Sequence, residues 1–149
     1  MQAFRNLSFM LFLMSAACAQ ATDDIAVRDA WVRATAPGQQ VAAAYMDLSS
    51  LQGTTLVGAE CDIAGIVEIH EMTMKNDVMK MRMLKELALP AGETVRLAPG
   101  GLHLMLFDLK QPLNAGSKAE CVLRFRNAQG ETANIRATLP VKAGNTRHH

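Results

Sequence analysis

Apolar and polar residues alternate with a period of two in short stretches along the chain, each bounded by turn formers. This is the pattern of half-buried β-strands. It predicts strands over residues 25–34, 41–48, 55–61, 65–74, 78–84, 94–97, 102–109, 119–127 and 132–139. Breaks between them carry Ala36-Pro37-Gly38, Asn76-Asp77, Pro90-Ala91-Gly92, Pro99-Gly100-Gly101, Asn114-Ala115-Gly116 and Gln129-Gly130, residues that favour turns. In the last stretch Ala133, Ile135, Ala137 and Leu139 face one way, while Thr132, Asn134, Arg136 and Thr138 face the other. One face is therefore core and the other solvent. In the stretch before it Cys121 shares a face with Leu123 and Phe125, which directs it inward. No stretch of useful length has the period of an amphipathic helix, and there are no repeats or linkers. The expected fold class is all-β, a single sandwich or barrel of about eight or nine strands.

The N-terminus departs from this pattern. Met1 to Arg5 is a short cationic start, residues 7–17 form an apolar run, and Ala17-Cys18-Ala19 and Ala19-Gln20-Ala21 fit a small-x-small cleavage site. Residues 1–19 read as a cleaved secretory signal peptide, and the run falls short of the roughly 20 apolar residues needed to span a bilayer. Lipidation at Cys18 is the alternative, although Ser15-Ala16-Ala17 lacks the Leu-type residue expected three before such a cysteine. The expected organisation is a signal peptide over 1–19, a β-domain over 20–141 and a flexible tail over 142–149, in a periplasmic protein without stable membrane insertion. Export leaves Cys61 and Cys121, 60 residues apart, in an oxidising compartment. An even pair there reads as a disulfide, with two buried thiols as the alternative.

Composition narrows the function. Half of the 149 residues are hydrophobic and 19% are charged, which excludes a disordered polyelectrolyte. Without Arg5 the chain has 14 basic and 14 acidic residues. No basic run interleaves with aromatics, so nucleic-acid binding has no support. No Ser-His-acid set, paired carboxylates or phosphate loop is visible, and an enzyme is not expected. What stands out is methionine. Of the seven that follow the signal peptide, all but Met46 lie between residues 72 and 105.

Residues 70–83 read as a hairpin about Asn76-Asp77. A two-residue loop pairs positions that sum to 153, which sets Met72 opposite Met81 and Met74 opposite Met79. Cross-strand partners share a face, so His70, Met72, Met74, Met79, Met81 and Met83 are expected together, and a slip of one residue would divide them. In residues 102–107, Leu102, Leu104 and Leu106 make a core face. His103 and Met105 then project from the other, about 7 Å apart along the strand. Methionines on strands usually fill gaps in a core. The joint pattern of two histidines within methionine-rich strands favours a metal site. Thioethers select Cu(I) and imidazole suits copper generally. No cysteine lies near for a blue-copper site, and methionine is a poor zinc ligand. Glu68, Glu71 and Asp108 lie close in sequence and are expected as solvated strand charges, with support of the metal ligands from behind as the alternative. His148 and His149 are only weak extra ligands at the tail.

His70, ten residues, Met81, twenty-one residues, His103 and, beyond Leu104, Met105 resemble the H-x10-M-x21-H-x-M signature of the PCuAC family of periplasmic copper chaperones. The segments Ala30-Trp31-Val32-Arg33-Ala34, Ala43-Ala44-Tyr45, Val78-Met79-Lys80-Met81-Arg82 and Pro99-Gly100-Gly101-Leu102-His103-Leu104-Met105 are similar to its landmarks, and the resemblance extends over residues 25–141. It implies a cupredoxin-like Greek-key β-barrel with one Cu(I) per chain, held by His70, Met81, His103 and Met105. It further implies delivery of copper toward the CuA centre of cytochrome c oxidase, with a thioredoxin-fold Sco-type copper protein and the CuA subunit as acceptors. Some members carry Met directly after the first histidine, where this chain has Glu71 followed by Met72, so an assisting role for Met72 stays open. The extension that takes Cu(II) in other members is reduced here to His148-His149. Copper buffering without a dedicated acceptor, and a metal-free β-sandwich interaction module, are the alternative functions.

Overall fold

A computed structural model describes residues 24–144. The expected signal peptide with Cys18, and the His148-His149 pair, lie outside the described residues. Ten strands follow one another: β1 (Ile25–Arg33), β2 (Ala42–Ser50), β3 (Thr54–Cys61), β4 (Ala64–Lys75), β5 (Val78–Leu84), β6 (Leu87–Leu89), β7 (Thr94–Leu97), β8 (Leu102–Leu109), β9 (Lys118–Arg126) and β10 (Thr132–Lys142). They hydrogen-bond in the order β5-β4-β8-β2-β1-β10-β9-β3-β6, with β7 paired to β2. Every pairing is antiparallel except β1 with β10, where Val32 lies beside Val141. That parallel joint folds the sheet into two layers. Leu48, Leu104 and Leu106 from one layer and Leu56, Leu123, Phe125 and Leu139 from the other form a fully buried core.

The all-β expectation holds, with differences of detail. The additional strand, β6, has three residues, too few to display alternation, and exists because β3 offers its edge to it. β10 continues through Lys142, which pairs with Arg33, so regular structure reaches one residue into the segment expected as tail.

The first strand contains a feature that alternation does not reveal. Arg28 pairs with Asp47, yet Trp31 pairs with Tyr45, which leaves one extra residue on β1. Asp29 absorbs this bulge with a left-handed backbone, φ 50°. Before the bulge Val27 sits opposite Leu48; after it Val32 sits opposite Ala44 and is fully buried. A regular strand would have given Val27 and Trp31 the same side. The bulge reverses the parity, turns Val32 inward and leaves Trp31 on the outer face.

Cys61 and Cys121 are directly opposite on β3 and β9, buried, and joined as a disulfide, as the even cysteine count anticipated. At the start of β1 the Ser50 hydroxyl donates to Asp24 Oδ2 at 2.6 Å, and the Gln52 N–H donates to its Oδ1 at 3.0 Å. The Ser50 contact chiefly holds this carboxyl below its ordinary value of 3.8, since hydrogen bonds to the ionised form favour it.

Two outcomes follow. Replacing both cysteines by alanine lowers unfolding stability by about 4 kcal/mol, the chain-entropy value for a loop of 60 residues, measured by urea unfolding. Asp24 has a lowered folded-state pKa, so its stabilising contribution is complete above pH 3.8 and disappears as pH falls through the lower folded value. Asp24→Asn therefore reduces stability at neutral pH and flattens its loss in acid.

Candidate metal centre

The outer face of the β5-β4-β8 layer collects the histidines and methionines. The hairpin register is as predicted, with Met72 opposite Met81 and Met74 opposite Met79. Its turn is formed by Asn76 and Asp77, both left-handed at φ 52° and 59°, the backbone of a type I′ turn that suits two-residue hairpins. β8 flanks the other side of β4 and sets His103 directly opposite His70. One row across the sheet thus reads Met83, His70, His103. Met81 lies one row toward the turn, and Met105 one row the other way, opposite Glu68. Rows on one face are about 7 Å apart. All four residues of the expected set share the face. The methionine opposite His70 is Met83 rather than Met81.

The two imidazoles are more sheltered than an outward face implies. Their ring centroids are 5.8 Å apart, with exposures of 9% for His70 and 5% for His103. Aromatic neighbours provide the cover. Phe107 lies 5.9 Å from His70 and Tyr45 6.4 Å from His103, measured between centroids. Trp31 packs on Tyr45 at 4.7 Å, in the position that the β1 bulge assigns it. Arg33 lies over the same Tyr45 ring. Met105 is half-buried and Met81 is 46% exposed, so the thioethers are the more accessible donors on this face and the imidazoles the more sheltered.

Hydrogen bonds decide which ring nitrogens carry lone pairs. His103 Nδ1 is 3.0 Å from the Gly101 carbonyl oxygen, which only accepts, so Nδ1 carries the proton and Nε2 the lone pair. His70 is the reverse. Its Nε2 is 2.7 Å from Glu68 Oε2, so Nε2–H donates to the carboxylate. His70 Nδ1 is then left buried with no hydrogen-bond partner. An orphaned buried acceptor is costly, and a metal ligand position is one way to satisfy it. Each histidine thus has an oxygen that orients it and a free lone pair, the arrangement found in metal-bound imidazoles.

Of the two readings open for Glu68, a solvated charge or a support behind the ligands, the structure shows the second: it is the partner of His70. Its spacing of two from His70, on the same strand face, was the available signal. Glu71 points to the opposite face and pairs with Arg82 at 2.7 Å. Asp108 lies against Gly65. Among the described residues no group of three or more His, Cys, Asp and Glu side chains could hold an ion, so a site here depends on the methionines.

A family profile with the description "Putative lipoprotein LpqE-like" matches residues 25–139. The chain belongs to the LpqE-like family. This LpqE-like chain is 40% identical over 123 residues to Lxx21020 of Leifsonia xyli subsp. xyli (strain CTCB07), which carries the same lipoprotein description; the match spans 80% of this chain and 70% of that one. Among solved structures it is similar to apo-DR1885 from Deinococcus radiodurans, with 33% identity, a TM-score of 0.60, and coverage of 97% of this chain and 95% of that one. The copper-bound PCuAC domain from PmoF2 matches with 25% identity, a TM-score of 0.66, and coverage of 81% and 94%. These relatives support the PCuAC resemblance and its fold.

The hydrogen bonds predict opposite neutral tautomers in the metal-free protein, Nδ1–H for His103 and Nε2–H for His70. Long-range 15N–1H NMR of the imidazoles distinguishes the two. Identical tautomers in both rings would contradict the assignment.

Proposed function

We propose that this protein is a Cu(I) metallochaperone of the cell envelope and not an enzyme. The observation that carries this reading is the pair of sheltered imidazoles, each with one oriented N–H and one free lone pair, framed by thioethers. Copper is the cargo, and a resident cofactor is not implied. His70 through Nδ1, His103 through Nε2, and the sulfurs of Met81 and Met105 are the proposed ligands, one Cu(I) to each chain. The names of two similar structures support the cargo: a copper-bound PCuAC domain from PmoF2 and CuI-DR1885 from Deinococcus radiodurans. The lipoprotein description of the family supports export to the envelope, and the N-terminal pattern supports a periplasmic location.

Neutral soft donors suit the task. Thioether and imidazole together favour Cu(I), and none of the four adds a negative charge. An acceptor offering thiolates can therefore displace them one at a time. The exposed Met81 is the natural first ligand to leave, while the buried histidines keep hold of the ion. Delivery toward the CuA centre of cytochrome c oxidase, together with a Sco-type copper protein, is the proposed destination.

Anaerobic Cu(I) titration against a competing chelator, with X-ray absorption on the product, tests this reading. The expected result is one tight equivalent with both sulfur and nitrogen scatterers, and a site of oxygen and nitrogen alone would refute it. Glu68→Ala weakens binding by about 10- to 100-fold through loss of the partner that orients His70. His70→Ala, His103→Ala, Met81→Leu and Met105→Leu are each expected to weaken Cu(I) binding in the same titration.

A further inference from the structure

The β4–β5 hairpin carries more sulfur than the four-ligand site uses. Met72, Met74 and Met79 occupy the same face as Met81, Met72 in its row and the Met74–Met79 pair one row nearer the turn. Met74 and Met79 are directly opposite, as are Met72 and Met81. Opposite residues hold their Cβ atoms about 4.5–5.5 Å apart, and diagonal neighbours about 7–8 Å, within reach of long side chains. Three thioethers can thus converge on one ion at the hairpin tip.

These side chains are not core filler. Met74 is 67% exposed and Met79 45%, whereas Met46, the methionine that does fill the core, is 1% exposed. The reverse face of the hairpin bears Glu71, Thr73, Lys75, Val78, Lys80 and Arg82, so the two strands extend past the core as an arm with one mainly polar and one sulfur-bearing face. The left-handed Asn76 and Asp77 fix its register and so the grouping of the methionines.

We propose that Met72, Met74 and Met79 form a second, thioether-only Cu(I) site at the hairpin tip. It binds more weakly than the histidine pair and hands copper inward through Met81. Three sulfur donors select Cu(I) over divalent ions. With no imidazole in the set, this site does not compete with protons. The identity of the cargo rests on the copper reading above, while the clustering of the sulfurs stands independently of it.

Methionine-methyl 13C NMR during anaerobic Cu(I) titration of the exported chain tests the proposal, with Ag(I) as a redox-stable control. The Met81 and Met105 methyls are expected to shift over the first equivalent, and the Met72, Met74 and Met79 methyls over the second, including at acid pH. The double variant Met74→Leu/Met79→Leu is expected to keep the first equivalent and lose the second. Hairpin methyls that stay unmoved through two equivalents overturn the proposal, as does a double variant that still takes two. Hairpin methyls that move while Met81 and Met105 do not would uphold the tip site and refute the four-ligand site. The wild-type spectra report each position directly, so the result does not depend on how a variant folds.

Discussion

The antiparallel register of β5, β4 and β8 is the constraint on which the rest of the chemistry depends. Side chains alternate between faces with a period of two, so one register places Met83, His70 and His103 in a single row and every hairpin methionine beside them. A slip of one residue in either pairing would carry half of the donors to the other face. Two features hold the register against this. The left-handed Asn76-Asp77 turn allows a loop of only two residues. On the inner face Ile69 sits opposite Leu104, both buried in the core, so a slip would also expose apolar surface.

The same sheet separates stability from function by face. The core side is closed by leucines from both layers and by the Cys61–Cys121 bridge. The outer side is built from residues that do little for the core. His70 and His103 are buried there beside Phe107 and Tyr45, with Trp31 packed in turn on Tyr45. That cover leaves His70 Nδ1 fully buried, and a sheltered setting strengthens the hydrogen bonds that orient the rings. The thioethers, which need no such orientation, are the more accessible. Sheltered nitrogens and more accessible sulfurs on one face suit the proposed site, whose task is to retain an ion and still release it.

Much of this was legible in the sequence because it is local. Alternation identified nine of the ten strands and assigned the faces of the His and Met residues, and the two-residue turn fixed the hairpin pairing. What escaped was either too short or dependent on distant partners. β6 is three residues long and is a strand only because β3 is beside it. The β1 bulge exists because Val27 and Val32 must both meet β2 from the inside, a demand that β1 alone does not display. Glu68 reads first as a surface carboxylate, and its alternative role behind the ligands is decided only by His70 Nε2 lying 2.7 Å away.

The sequence by itself determined the all-β class, the likeness to a copper-handling family and the shared face of the proposed soft-metal ligands, because side-chain period and donor chemistry are properties of the local chain. Only the tertiary structure decided that His103 lies against His70, which nitrogen of each ring is free, and that the imidazoles are buried while the sulfurs are exposed. Those outcomes arise from β8 lying beside β4, thirty or so residues away in sequence, and from an aromatic cover supplied by β1, β2 and β8. Such contacts between distant segments follow from packing both layers on one core, and no local pattern records them.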